Sequence, residues 1–289
     1  MISQAICTAV GIPRKFRKNL HMLTLSEIWI YPVKSLGGIS LQEATAEARG
    51  LRYDRRWMIT DENGMFMSQR EIPRMTGLGT AIDGTHLHIF LKNNPLEKVL
   101  VPLQHAPGTL PEQQVQIWDD TCTAWVLPDT IQQWLCQHLQ AEVQLVYMPD
   151  TTHRQTDLKY TQPGEHVSFA DGYPFLMIGQ ATLDALNERL ETPVPMNRFR
   201  PNFVFTGGAP HLEDQLTDFR LGDLAFRCVK PCGRCIMTTT DQDTGERAAE
   251  PLKTLATYRK EGNKILFGQN VILRGGEGLV RVGNFFSYE

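Results

Sequence analysis

Cysteine is scarce in this sequence, six in 289 residues, which is too few for a disulfide scaffold and suits a reducing compartment. No run approaches the ~18–20 apolar residues that a membrane-spanning helix needs, so the chain does not read as an integral membrane protein. Neither sign of charge dominates: 29 Lys and Arg face 32 Asp and Glu, for a net charge of -3. Without a basic field, nucleic acid and membrane surfaces are poor partners, and small molecules or proteins are expected instead. Internal repeats and low-complexity tracts are also missing. The expected location is the cytoplasm.

The length favours two moderate domains, with ample chain to bury a core. Residues 1–21 carry Arg14, Lys15, Arg17 and Lys18 with no acid before Glu27. The apolar stretch Ile6–Ile12 is short and follows no basic region, so it is not a secretory signal. A basic targeting peptide is one reading; the favoured one is a start set too early, with Met22 opening the true domain. Residues 1–22 are therefore set aside as an extension, with one domain expected over 23–145 and a second over 146–289.

Turn and strand signals dominate what remains. Short strands are predicted at 26–33, 39–44, 56–60, 65–68, 86–91 and 99–103, separated by Asp61-Glu-Asn-Gly64, Asp83-Gly84 and Asn93-Asn-Pro95. One helix interrupts them, with Asp129 as its cap, Gln132 three residues on, and Ile131, Trp134, Leu135 and Leu139 on one face. After a polar surface loop over 151–164, a helix is predicted at 180–191 and strands at 203–205 and 221–228. A last helix opens at Glu250-Pro251 and ends at Gly262, before closing strands at 271–274 and 279–285. The fold class is β-rich α+β.

Half of the cysteines fall within eight residues, in Cys228-Val-Lys-Pro-Cys232-Gly-Arg-Cys235. Leu224, Phe226 and Cys228 alternate as a strand face does, and Pro231-Cys-Gly is expected to break the run, leaving Cys232 and Cys235 at a strand exit. A thiolate there can reach a ligand, and Arg234 is a cation beside it. The spacing also matches three-thiolate iron–sulfur motifs, but too little chain follows for the large barrel those motifs serve. A zinc site would need four ligands, and no second Cys-x2-Cys or His pair supplies them. The plain structural alternative has Cys228 in the core and the other two lining a turn.

Three further segments put a cation beside a strand end: Tyr31-Pro-Val-Lys-Ser35, Asp54-Arg-Arg-Trp57 and Asn197-Arg-Phe-Arg-Pro-Asn202. If convergent with Arg234, they would form an anion cradle next to a thiolate. Together with Phe169-Ala-Asp-Gly172, Asp241-Gln-Asp-Thr-Gly245 and Leu266-Phe-Gly-Gln269, these segments resemble the MOSC superfamily with its N-terminal β-barrel partner. The likeness is greatest to the YcbX-like and mitochondrial amidoxime-reducing component proteins, and it covers about residues 23–286.

That resemblance implies a MOSC β-barrel domain preceded by a smaller barrel-like one, and Mo-molybdopterin as cofactor. It points to Cys235 as the molybdenum ligand and catalytic position. Lys34, Ser35, Arg55, Arg200, Asn202 and Arg234 would hold the pterin and its phosphate, with Asp171 and Gly172 lining the pterin and Gln269 and Asn270 nearby. The implied activity is reduction of amidoximes, hydroxylamines or N-hydroxylated bases by oxygen-atom transfer. Electrons are expected from a separate protein, a flavin reductase, a ferredoxin or a cytochrome b5-like carrier, because no plant-type ferredoxin motif follows the barrel. Two rivals share the fold: a sulfur carrier using a Cys235 persulfide, and a cofactor carrier without turnover. The superfamily is also associated with pyridoxal phosphate binding. Gly233 departs from relatives that have serine there, and Asn270 from those with an aromatic residue, which leaves substrate preference open.

Overall fold

The computed structural model describes residues 22–288, so the reading of residues 1–21 lies outside the described residues. The largest sheet runs, neighbour to neighbour, through Ile39–Leu41, Thr24–Ile30, Phe203–Thr206, Phe175–Gly179, Lys264–Leu273, Leu224–Arg234, Asp218–Leu221 and Phe286–Tyr288. Phe285 bridges back to Thr24, and the Phe286 amide donates to the Leu23 carbonyl at 2.9 Å, so the row closes into a barrel. Its one parallel pair is Phe175–Gly179 with Phe203–Thr206, and the helix Gln180–Asn187 lies in the crossover between them.

Strand alternation decides what fills the barrel. Phe203 and Phe205 turn inward while Val204 turns out to the helix-covered layer, and Met177 and Ile178 divide in the same way. Inside, Phe175 stacks on Phe203 at 5.4 Å, and both meet Phe226 edge-on. Outside, Leu183 and Leu186 of the first crossover helix pack with Leu255 of the helix Leu252–Tyr258.

A second unit stands beside the barrel. Trp57–Thr60, Gln144–Tyr147, Asp120–Val126 and Glu112–Ile117 form a four-stranded antiparallel sheet, and Leu78–Ile82, His86–Leu91 and Asn94–Pro102 form a three-stranded one. Their shared core takes in Ile131, Leu135 and Leu139 of the helix Asp129–Leu139, as its periodicity predicts. Gln132 is not a capping residue, however. Its amide donates to the Leu127 carbonyl and accepts from the Leu145 amide at 2.6 Å, tying the helix to the strand beside it.

Chain order and spatial neighbourhood differ. Thr24–Ile30 pairs with Phe203–Thr206, and Glu43–Glu47 with Gly278–Arg281, so the first strands are built into the barrel of the chain's second half. Two local expectations also change. Residues 65–68 make single bridges from Phe66 to Thr60 and from Met65 to Gln116, not a strand. The strand Leu224–Arg234 runs through Pro231, absorbing it with register shifts between Cys228 and Lys230 and between Pro231 and Gly233. A bulge tolerates a residue that has no N–H to donate.

Candidate cofactor cleft

A cleft of about 480 Å³ opens where the barrel meets the second unit, and both contribute side chains to it. Of the residues expected at the site, Lys34, Ser35, Arg55, Asp171, Gly172, Arg200, Asn202, Arg234, Cys235 and Asn270 line this cleft. Gln269 does not. It is buried on the barrel strand, and its side-chain oxygen has no hydrogen-bond partner.

Strand exits bring these residues together. Past Ile30 the chain turns, the Lys34 amide donates to the Trp57 carbonyl, and the Lys34 ammonium reaches the Phe169 carbonyl at 3.0 Å and Asp171 Oδ1 at 2.5 Å. Burial lowers the Lys34 ammonium from its ordinary value, and Asp171 opposes that shift. Ser35, Arg55 and Arg200 hold left-handed backbones, with φ of 69°, 49° and 55°, and Trp118 at the same cleft has 55°. Such angles are uncommon away from glycine, and their concentration here marks a surface whose geometry is imposed by its surroundings.

The arginines form a connected group. Arg55 donates to both oxygens of buried Asp54 at 2.8 and 2.7 Å, and Asp54 also accepts from the Tyr31 amide at 2.7 Å. The guanidinium carbons of Arg55 and Arg200 stand 4.3 and 4.2 Å from the centroid of the Tyr31 ring. Burial pushes the Tyr31 phenol up to about 12, with the two arginines opposing. Burial and then Arg55 push Arg200 down to about 10, which leaves it cationic at neutral pH. Arg234 donates to the Phe199 carbonyl at 2.6 Å and to Cys232 Sγ at 3.2 Å.

Three of the arginines that line the cleft each keep one buried guanidinium nitrogen without a partner: Arg198 Nε, Arg200 Nη2 and Arg234 Nε. An orphaned buried donor costs about 1–3 kcal/mol, so three in the wall of one cleft favour an acceptor-rich, anionic ligand toward which these side chains would reorient. Asn202 is turned to the backbone instead. Its Nδ2 donates to the Trp29 carbonyl and its Oδ1 accepts from the Leu176 amide, both at 3.1 Å. Asn270 is tied to the Lys230 carbonyl at 3.3 Å.

The thiols separate by position. Cys228 packs against the barrel core, where burial pushes its thiol up to about 12. Because the strand continues to Arg234, the residue at its exit is Cys235, exposed at the start of the short turn Ile236–Thr239, while Cys232 is half-buried within the strand. Among the described residues no three His, Cys, Asp or Glu side chains gather as a metal cage. This donor set, an exposed thiol beside three guanidinium groups that each keep one unpartnered nitrogen, fits a cofactor that brings its own soft ligands and an anionic tail.

Sequence reasoning missed other parts of the cleft. Arg154, within the stretch expected as a polar surface loop, is buried and donates to the carbonyls of Ser168, Ala170 and Asp171, fixing the backbone that carries Asp171. Arg198, inside one of the quoted motifs, pairs with Asp241 at 2.7 Å. Phe66, Arg70 and Trp118 line the cleft from the second unit, and nothing in their sequence neighbourhood sets them apart.

Comparison with known proteins agrees with this architecture. Residues 22–142 match the MOSC N-terminal beta barrel domain, and residues 164–285 match the MOSC domain. The human mitochondrial amidoxime-reducing component 1 is 31% identical over 94% of this chain and 85% of its own length. The mouse protein of the same name is 32% identical over 94% of this chain and 84% of its own. A rice molybdenum cofactor sulfurase is 28% identical over 89% of this chain, but that match spans 33% of the rice protein. With both domain matches in order and relatives aligned nearly end to end, this chain belongs to the MOSC superfamily, in the family of the mitochondrial amidoxime-reducing components.

Proposed function

We infer that this protein is a cytoplasmic, molybdenum-cofactor-dependent oxidoreductase that reduces N-hydroxylated compounds. The observation that carries the reading is the accessible Cys235 thiol in the same cleft as the unpartnered nitrogens of Arg198, Arg200 and Arg234. Mo-molybdopterin, when bound, would supply oxygen-atom transfer: the substrate N–O bond breaks, two electrons and two protons are consumed, and water is released. The chain's own part is binding and orientation. Cys235 would ligate the metal, Arg198, Arg200 and Arg234 would satisfy the anionic tail, and Lys34 with Asp171 and Gly172 would border the pterin. The names of the human and mouse relatives support amidoximes as one substrate class. The electrons would come from a separate redox protein.

Metal analysis of protein made in a molybdopterin-competent host tests this directly. Molybdenum bound one to one, with turnover of benzamidoxime by a dithionite-reduced electron carrier, is the expected result; metal without turnover points to a cofactor carrier. The sulfur-transfer reading rests on the same exposed thiol and on the match to the rice sulfurase. Persulfide on Cys235 in metal-free protein would favour it.

A further inference from the structure

Trp118 occupies the turn between the strands Glu112–Ile117 and Asp120–Val126, where Ile117 pairs with Asp120 and leaves Trp118 and Asp119 as a two-residue connection. Its φ of 55° falls at the turn position that glycine normally takes, so a tryptophan there costs backbone strain. The ring does not recover that cost by burial, since Trp118 is 41% exposed. It is nevertheless held. The indole N–H donates to Asp171 Oδ1 at 3.3 Å, the Phe66 ring lies 4.9 Å away, and the Arg70 guanidinium stands 4.6 Å from the indole. Gln116 Nε2 donates to the Trp118 carbonyl at 2.9 Å and steadies the turn. The indole, Phe66 and Arg70 line the same cleft as Cys235.

A strained, exposed, firmly positioned aromatic ring at a cleft mouth is suited to stacking on a planar ligand. We propose that Trp118, backed by Phe66 and Arg70, is a specificity-determining platform that favours aryl N-hydroxylated substrates, such as arylamidoximes and N-hydroxylated bases, over alkyl ones. The proposal rests on the oxidoreductase reading for its substrate class. The platform itself belongs to this chain's second unit, which reaches over a cleft whose thiol comes from the barrel.

Two measurements on the full chain test it. In cofactor-loaded protein, the ratio of KM for acetamidoxime to KM for benzamidoxime should fall about tenfold in Trp118→Ala and recover in Trp118→Phe, with kcat for benzamidoxime little changed. An unchanged ratio, or molybdenum lost from Trp118→Ala, would overturn the proposal, the latter by making Trp118 a wall of the cofactor pocket. In protein without turnover, benzamidoxime should shift the Trp118 indole N–H resonance saturably, and acetamidoxime should not. No shift overturns the platform. If neither compound is ever reduced but the aryl-selective shift is present, the platform stands and the assigned reaction falls.

Discussion

Arg55 Nη2 donates to the backbone carbonyl of Arg200 at 3.2 Å, joining positions 145 residues apart. The two guanidinium groups share the Tyr31 ring, yet their charges are handled differently. Arg55 is neutralised by buried Asp54, whereas Arg200 makes no ion pair among the described residues and keeps an unpartnered nitrogen. Two arginines that look alike in sequence therefore have different tasks, one neutralised within the fold and the other, held by the Leu36 carbonyl at 2.7 Å, keeping its positive charge uncompensated at the cleft.

Arg200→Ala is accordingly expected to lower cofactor content strongly with a small change in apo-protein stability. Arg55→Ala should instead destabilise the apo-protein by about 3–5 kcal/mol, because it leaves the Asp54 carboxylate buried and unpaired. Denaturant unfolding of metal-free variants separates the two; equal stabilities would contradict the assignment.

Cys235→Ala should abolish molybdenum retention, while Cys232→Ala retains most of it. Cys228→Ala should act on stability instead, since its side chain packs on the barrel core. Metal content read beside melting temperature checks all three, and equal metal loss in Cys232→Ala would point to a second thiolate on the metal.

Gly38→Ala is expected to act on the cleft from behind. A methyl group there would meet the Tyr31 ring at 2.6 Å, and that ring supports both arginines. Overpacking of this kind costs about 1–3 kcal/mol. Reduced cofactor content together with a lowered melting temperature is the predicted pair of effects; a melting temperature equal to wild type would show that Tyr31 yields freely.

Glu213 should contribute a loss of stability as pH rises from about 5 to 8. Glu213 is buried against the barrel, accepting from the Gly179 amide at 3.3 Å and from the Thr182 hydroxyl at 2.9 Å, and burial raises its carboxyl from 4.5 to about 7. Between those values the folded protein holds the proton more tightly than the unfolded chain, so the stabilisation is full below the lower value and is lost through the upper one. The contribution is about 3 kcal/mol, and Glu213→Gln should flatten this part of the stability–pH profile. An unchanged slope in the variant would rule Glu213 out as its source.

Much of the site was legible in sequence because its residues sit in short, unusual segments at strand ends. Tyr31-Pro-Val-Lys-Ser35 follows a strand, Asn197-Arg-Phe-Arg-Pro-Asn202 precedes one, and the cysteine segment ends one; each sets a proline close to a cation, and all three reach one cleft. Trp118 and Arg154 carried no such mark. A tryptophan in a hairpin and an arginine in a polar stretch look ordinary until the sheets are paired, since their partners lie 53 residues away at Asp171 and 34 away at Asp120.

The amino-acid sequence by itself determined the β-rich class, the helix face of Ile131, Leu135 and Leu139, and the strand over 203–205, because these follow from local periodicity and composition. Only the tertiary structure decided that Thr24–Ile30 closes the barrel of the chain's second half, that Pro231 stays within its strand, and that Arg55 has a carboxylate partner while Arg200 has none among the described residues. Each of those depends on which distant backbone or carboxylate arrives alongside, and pairing between strands or charges far apart in the chain leaves no local periodic trace.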